Sequence, residues 1–200
     1  MAETKELENE GFDVEINLTD LCENHLIKNM LTEKVLLSKE ECNTILQLHK
    51  KFRRSMVYNT KAKVKESSRK SEEAYVKDQN KLEEILLPKL NELGVKGLPD
   101  DCKILKYKEG SFFKEHSDAN ATNFSYRKQT LIVQLSEEND YSGARLIVNG
   151  KGCSKEIGNV ILFDSTRKHK VTKLIRGSRY VLVCWLHKEH LKLDGYKTIL

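Results

Sequence analysis

His116-Ser117-Asp118 closes a short run rich in aromatic residues, and a second histidine, His169, follows a later apolar run. Residues two apart on a strand point to one face, so His116 and Asp118 share a side. With His169 they supply the donors of a 2-His-1-carboxylate facial triad. Such a set holds one face of an octahedron and leaves three positions open, which suits Fe(II). A surface histidine beside an aspartate is the other reading, and the pair alone does not choose between them. Arg179 lies ten residues after His169. Strand-like residues and a turn at Gly177 separate the two, so a hairpin would carry Arg179 inward. A buried guanidinium needs an anion. A dicarboxylate cosubstrate would supply one through a bidentate pair, and a carboxylate of the protein would serve as well.

The elements that must hold these residues follow from periodicity. Ser38 and Glu41 match a capping box, and Cys42, Ile45 and Leu46 follow at helical spacing, which predicts a helix over 39–54. Tyr75, Leu82, Ile85, Leu86, Leu90 and Leu93 predict a second over 71–93, started, kinked or split near Pro88. Residues 55–71 read as loop. After Gly94 short β-rich runs recur, at 102–107, 112–116, 130–135, 145–148, 160–163, 170–174 and 179–186. Asn149-Gly150 marks a hairpin turn. Seven or so short strands argue for a sandwich or barrel, with two helices on one outer face. Alternation along the last strand places Arg179, Val181, Val183 and Trp185 on one side. Ile132, Val148, Val181 and Val183 read as an apolar wall around the site.

The chain has 200 residues and a net charge of +5. That length fits one domain over 31–200 behind an acidic extension over 1–30. Residues 1–24 carry eight acids against Lys5 alone, so the remaining body stands at +12. The run from Lys50 to Lys70 holds nine bases and one acid. Such a body favours acidic partners: an acidic polypeptide, a nucleic acid or a small dianion. A solvated lysine surface is the plainer account. No run of apolar residues is long enough for a membrane span. The polar start and five scattered cysteines without a CxxC pair point to reduced thiols and an intracellular, cytoplasmic setting.

In their order and spacing, the motifs of residues 33–187 resemble those of the Fe(II)- and 2-oxoglutarate-dependent dioxygenases of the prolyl 4-hydroxylase type. The resemblance rests on Leu105–Gly110, Phe112–Asp118, Thr130–Leu135, Ser142–Leu146, Gly158–Ser165, His169 and Gly177–Tyr180, with Ser38–Cys42 as the first helix. It implies a mainly β fold with supporting helices (α+β), a double-stranded β-helix of the jelly-roll or cupin-like kind. It implies His116, Asp118 and His169 as iron ligands and Arg179 as partner of the distal carboxylate of 2-oxoglutarate. Tyr107 matches a tyrosine that commonly hydrogen-bonds the cosubstrate, and Trp185 a tryptophan near the metal in oxygen-sensing relatives. A core role is the other reading of each. The implied cofactors are Fe(II), 2-oxoglutarate and O2, with ascorbate a further candidate.

The implied reaction hydroxylates a protein side chain, prolyl first and lysyl next, and releases succinate and CO2. Residues 119–127 follow the ligands directly and are a candidate substrate loop, with Phe124, Tyr126 and Arg127 as contacts. Arg145 stands where many relatives have an acid near the site's mouth, which suits an acidic peptide. The same chemistry on a nucleic acid or small molecule is the alternative, as is a binding module without catalysis.

Overall fold

The computed structural model describes residues 31–55 and 68–192. The acidic extension, most of the basic 50–70 run and Cys22 lie outside them. Seven strands form the larger sheet. They are β1 (Thr32–Val35), β2 (Arg53–Arg54), β4 (Glu72–Tyr75), β5 (Lys103–Tyr107), β7 (Gln129–Gln134), β11 (Asn159–Asp164) and β14 (Arg179–Leu186), in the order β1-β11-β7-β14-β5-β4-β2. The second sheet runs β10-β9-β12-β6-β3, from β3 (Arg69–Lys70), β6 (Phe112–His116), β9 (Leu146–Val148), β10 (Lys151–Gly152) and β12 (His169–Val171). A separate pair joins β8 (Tyr141–Gly143) to β13 (Leu174–Gly177). This is the jelly roll, with every described pairing antiparallel.

Alternation along β14 sets the layers. Leu182, Cys184 and Leu186 face one core, shared with the helices α1 (Lys39–Gln47) and α2 (Gln79–Leu90) through Cys42, Ile45, Leu82, Leu86 and Leu90. Val181 and Val183 face the other, between the sheets, with Leu105, Ile132, Ile161, Phe163, Leu146 and Val171. Each such side chain contributes about 1.5–3 kcal/mol by leaving water. Cutting Ile45 or Leu182 to alanine would cost about 2–5 kcal/mol.

Ser38 caps α1 as the sequence predicts, accepting from the Glu41 N–H while the Glu41 carboxylate accepts from the Ser38 N–H. The helix stops at Gln47, short of the expected residue 54. His49 bridges Val76, and Arg53–Arg54 pair with β4, so sheet hydrogen bonds claim this segment. The second expected helix is also shorter. Glu72–Tyr75 pair with β5, and α2 begins after Asp78, whose side chain accepts from the Lys81 N–H. Pro88 sits in the last turn of α2, so it removes one i→i−4 hydrogen bond just before the helix ends. The expected strand 170–174 is two strands, because the chain leaves β9 after Val171 and joins β8 at Leu174. Asn149 and Gly150 both have positive φ, +45° and +81°, and turn β9 into β10 as the hairpin signal requires.

Candidate functional site

A cleft opens between the two sheets. Leu105, Tyr107, Thr130, Ile132, Arg179, Val181, Val183 and Trp185 line it from the larger sheet. Arg69, Phe113, His116, Leu146, His169 and Val171 line it from the smaller, with Asp118 just beyond β6. Of the expected apolar wall, Ile132, Val181 and Val183 line the cleft. Val148 lies in the inter-sheet core instead, in register with His169.

His116 and His169 are directly opposed residues of β6 and β12. Their rings lie 4.2 Å apart between centroids. Asp118 stands between them, with Oδ1 3.6 Å from His116 Nε2 and Oδ2 3.4 Å from His169 Nε2. One ligand atom from each of the three lies within 4.8 Å of the others. Each imidazole uses Nδ1 on a backbone carbonyl two residues earlier, His116 on Lys114 at 2.8 Å and His169 on Arg167 at 3.0 Å. The proton is thereby placed on Nδ1, and the Nε2 lone pairs are left for a metal. Thr130 donates to Asp118 Oδ2 at 2.8 Å and touches Ser165 Oγ at 3.0 Å. The Asp118 and Ala119 N–H groups both donate to the Ser165 carbonyl at 2.9 Å.

Burial works against charge on Asp118. The closeness of the His116 and His169 imidazoles, which repel a second proton, and the Thr130 hydroxyl prevail, and hold its carboxyl well below the usual range. Burial also lowers the His169 pKa, and Asp118 opposes it, so this imidazole favours the neutral form that ligates metal.

Arg179 is 2% exposed. Nε and Nη2 both donate to Gln134 Oε1, at 3.0 and 2.6 Å, and Gln134 Nε2 donates to the Tyr141 hydroxyl at 2.7 Å. Among the described residues no carboxylate pairs with it. Its guanidinium lies 5.5 Å from the centre of the Tyr107 ring. Burial pushes the Tyr107 phenol up, and the charges of Arg69 and Arg179 pull it back. Trp185 faces the cleft, and its indole N–H is buried without a partner.

The loop after Asp118 packs against Trp185 of the cleft. Arg127 lies between the rings of Phe124 and Trp185, at 4.2 and 4.0 Å, and Nη1 donates to the Asp118 carbonyl at 3.4 Å. Phe124 and Tyr126 are 38% and 52% exposed. Arg145 does not line the cleft. It donates from Nε to the Cys153 carbonyl at 3.1 Å, because Leu146 takes the inward position beside it. The sequence reading missed four contributors: Thr130, Ser165, Gln134 and Arg69. The first three fall inside motifs that were legible as strands, but a hydrogen bond across a sheet leaves no spacing signal. Arg69 was hidden in a basic run.

Residues 102–187 match the family model of the 2OG-Fe(II) oxygenase superfamily. A PKHD-type hydroxylase of Caulobacter vibrioides is 31% identical over 105 residues, covering 48% of this chain and 46% of that protein. Another, of Alteromonas mediterranea, is 29% identical over 91 residues, covering 40% of each. The chain thus spans less than half the length of these curated relatives. Two solved structures share the fold at low identity. A Trichoplax adhaerens prolyl hydroxylase in complex with a hypoxia inducible factor oxygen degradation domain peptide fragment has a TM-score of 0.63 at 16% identity, over 86% of this chain and 90% of that one. A Pseudomonas putida prolyl-4-hydroxylase has a TM-score of 0.55 at 14% identity, over 84% and 97%. The matched segment contains His116, Asp118, His169 and Arg179, so over residues 102–187 this jelly roll is similar to the 2OG-Fe(II) oxygenase superfamily.

Proposed function

We propose that this chain is a Fe(II)- and 2-oxoglutarate-dependent dioxygenase that hydroxylates a protein side chain, prolyl first and lysyl next. One observation carries the reading. A His-Asp-His cluster with free Nε2 atoms shares a cleft with a buried arginine that no described carboxylate neutralises.

The donor set fits the superfamily's metal. Two neutral imidazoles and one carboxylate are the ligands that non-haem Fe(II) takes, and all three are held by hydrogen bonds before any metal arrives. Bound Fe(II), with 2-oxoglutarate and O2, supplies the oxidation and releases succinate and CO2. The chain's own residues supply position and exclusion. His116, Asp118 and His169 hold the metal. Arg179, oriented by Gln134, receives the distal carboxylate of 2-oxoglutarate as a bidentate partner. Tyr107 offers its hydroxyl nearby, and the unpartnered Trp185 N–H is a donor waiting for an acceptor. Ile132, Val181 and Val183 keep water from the wall.

The substrate is read as an acidic peptide. A peptide is bound in the Trichoplax neighbour, and Phe124 and Tyr126 present exposed rings on the loop that carries Arg127. The domain reading, 31–200 behind an acidic 1–30, belongs to the same proposal. So does an intracellular setting, which suits four free, buried cysteines. Among the described residues no helix is long and apolar enough to cross a membrane.

The test is an anaerobic titration with Fe(II) and 2-oxoglutarate, followed by succinate detection under air with ascorbate. Both ligands should bind. His116→Ala should abolish succinate and Arg179→Ala should weaken it. Failure of the native protein to bind either ligand would sink the oxygenase reading and favour a binding module.

A further inference from the structure

Arg69 is a second buried cation in the same cleft, and its side chain is only 8% exposed. It sits across from Phe113 in the β3–β6 pair. Its guanidinium lies 4.6 Å above the Phe113 ring, which stacks on His116 at 3.6 Å and 21°. Nε donates to Ser71 Oγ at 2.8 Å, and Ser71 in turn donates to Ser55 at 3.0 Å. The side chain is therefore fixed on one face by the ring and at one nitrogen by the serines.

The charge is not matched. Among the described residues the nearest carboxylate is Glu73, whose Oε2 lies 4.0 Å from Arg69 Nη2. Glu73 also faces Arg53 at 3.6 Å and Lys103 at 3.7 Å. One carboxylate thus serves three cations, none at hydrogen-bonding distance. A guanidinium offers five N–H donors, and only Nε is well used here. A buried cation so placed calls for an anion. The dicarboxylate of the cosubstrate has Arg179, which Gln134 already orients. Asp118, the other carboxylate of the cleft, is taken up by Thr130 and the two histidines, which leaves Arg69 open to an anion brought by the substrate.

We propose that Arg69 is a specificity-determining residue that receives a carboxylate of the substrate, an Asp or Glu side chain next to the residue hydroxylated. This rests on the oxygenase reading above. It also gives the basic body a local purpose, because electrostatic complementarity selects among partners.

The test uses two blocked peptide pools, acetyl-Ala-X-Pro-X-Ala-amide, with X as Asp or Glu in one and Asn or Gln in the other. Binding to the anaerobic Fe(II)- and 2-oxoglutarate-loaded protein is read from the fluorescence of Trp185, the single tryptophan, which lines the cleft. The acidic pool should bind about tenfold more tightly than the amide pool, and Arg69→Gln should bring that ratio to about one. Arg69→Lys, which keeps the charge, should retain a preference, and Lys34→Gln, at an exposed residue paired with Glu92, should not change it. Equal binding of the pools, no binding of either, or a preference that survives Arg69→Gln would overturn the assignment. Calorimetry of 2-oxoglutarate on the same samples separates the failures. Loss of its binding in Arg69→Gln alone would mean that Arg69 serves the cosubstrate, and the assignment falls. Absence of binding in both proteins sinks the oxygenase reading, and the acid-to-amide ratio without 2-oxoglutarate then decides for Arg69.

Discussion

Gln134 Oε1 accepts two hydrogen bonds from Arg179, at 3.0 and 2.6 Å, in a pocket where both side chains are almost fully buried. A neutral amide thus aims a guanidinium without neutralising it. Gln134→Leu should remove the aim and keep the charge. The affinity for 2-oxoglutarate is expected to fall about tenfold, in the range seen when a supporting partner is lost, with metal affinity unchanged. Calorimetric titration of each ligand in turn checks both halves.

Thr130 is fully buried and gives its proton to Asp118 Oδ2. Thr130→Val keeps the shape and removes the donor. Metal affinity should drop about 10–100-fold, and the metal-free protein should lose about 1–3 kcal/mol. A metal titration and a denaturant melt measure the two. Unchanged values in both would deny Thr130 any part in the site.

His169 gives the metal-free protein a pH dependence of definite sign. Burial, opposed by Asp118, lowers its pKa in the folded state. The unfolded chain takes up that proton near the ordinary value of about 6.5, so it binds more protons below that pH. This contribution to stability is present above about pH 6.5 and is lost as pH falls through the lowered folded value. Asp118 has a carboxyl depressed by its histidines, so its own contribution holds to far lower pH, below the ordinary carboxylate range near 4. Denaturant midpoints at pH 5.5 and 7.5 should differ in the native sequence, and His169→Gln should shrink the difference.

Gly158 has a φ of +77°, and a Cβ there would stand 2.0 Å from the Leu37 carbonyl oxygen. Its own carbonyl accepts from the Leu36 and Leu37 N–H groups, which lead into α1. Gly158→Ala must therefore move the helix entry or strain the turn, at a cost of about 1–3 kcal/mol. Thermal unfolding should show it, while the relative affinities for metal and 2-oxoglutarate stay as they were.

Much of this was legible in the residues themselves. Alternation along β14 fixed the shared face of Arg179 and Trp185, Ser38 and Glu41 announced α1, and Asn149-Gly150 announced its turn. His116, Asp118 and His169 come together as their spacing suggested. The errors share a cause. Glu72–Tyr75 and Arg53–Arg54 became strands because a sheet edge offered them hydrogen bonds, which no local pattern records. Arg145 looked placed for the mouth, yet its neighbour Leu146 takes the inward side. Arg69 faces the cleft only through pairing with Phe113, 44 positions away in the chain.

The triad draws on both sheets. His116 and His169 belong to the smaller one, while Asp118 is fastened to the larger through Thr130 of β7 and Ser165 beyond β11. All three ligands lie on or beside the smaller sheet, but the bonds that aim the Asp118 carboxylate come from the larger one, so the site is fully ordered only after the sheets have docked. Chains dominated by such distant pairings fold slowly. A cation seated there would hold the sheets together like a clasp. It would slow their parting far more than it hastened their meeting, so metal should lengthen the lifetime of the native state and leave the folding rate nearly untouched.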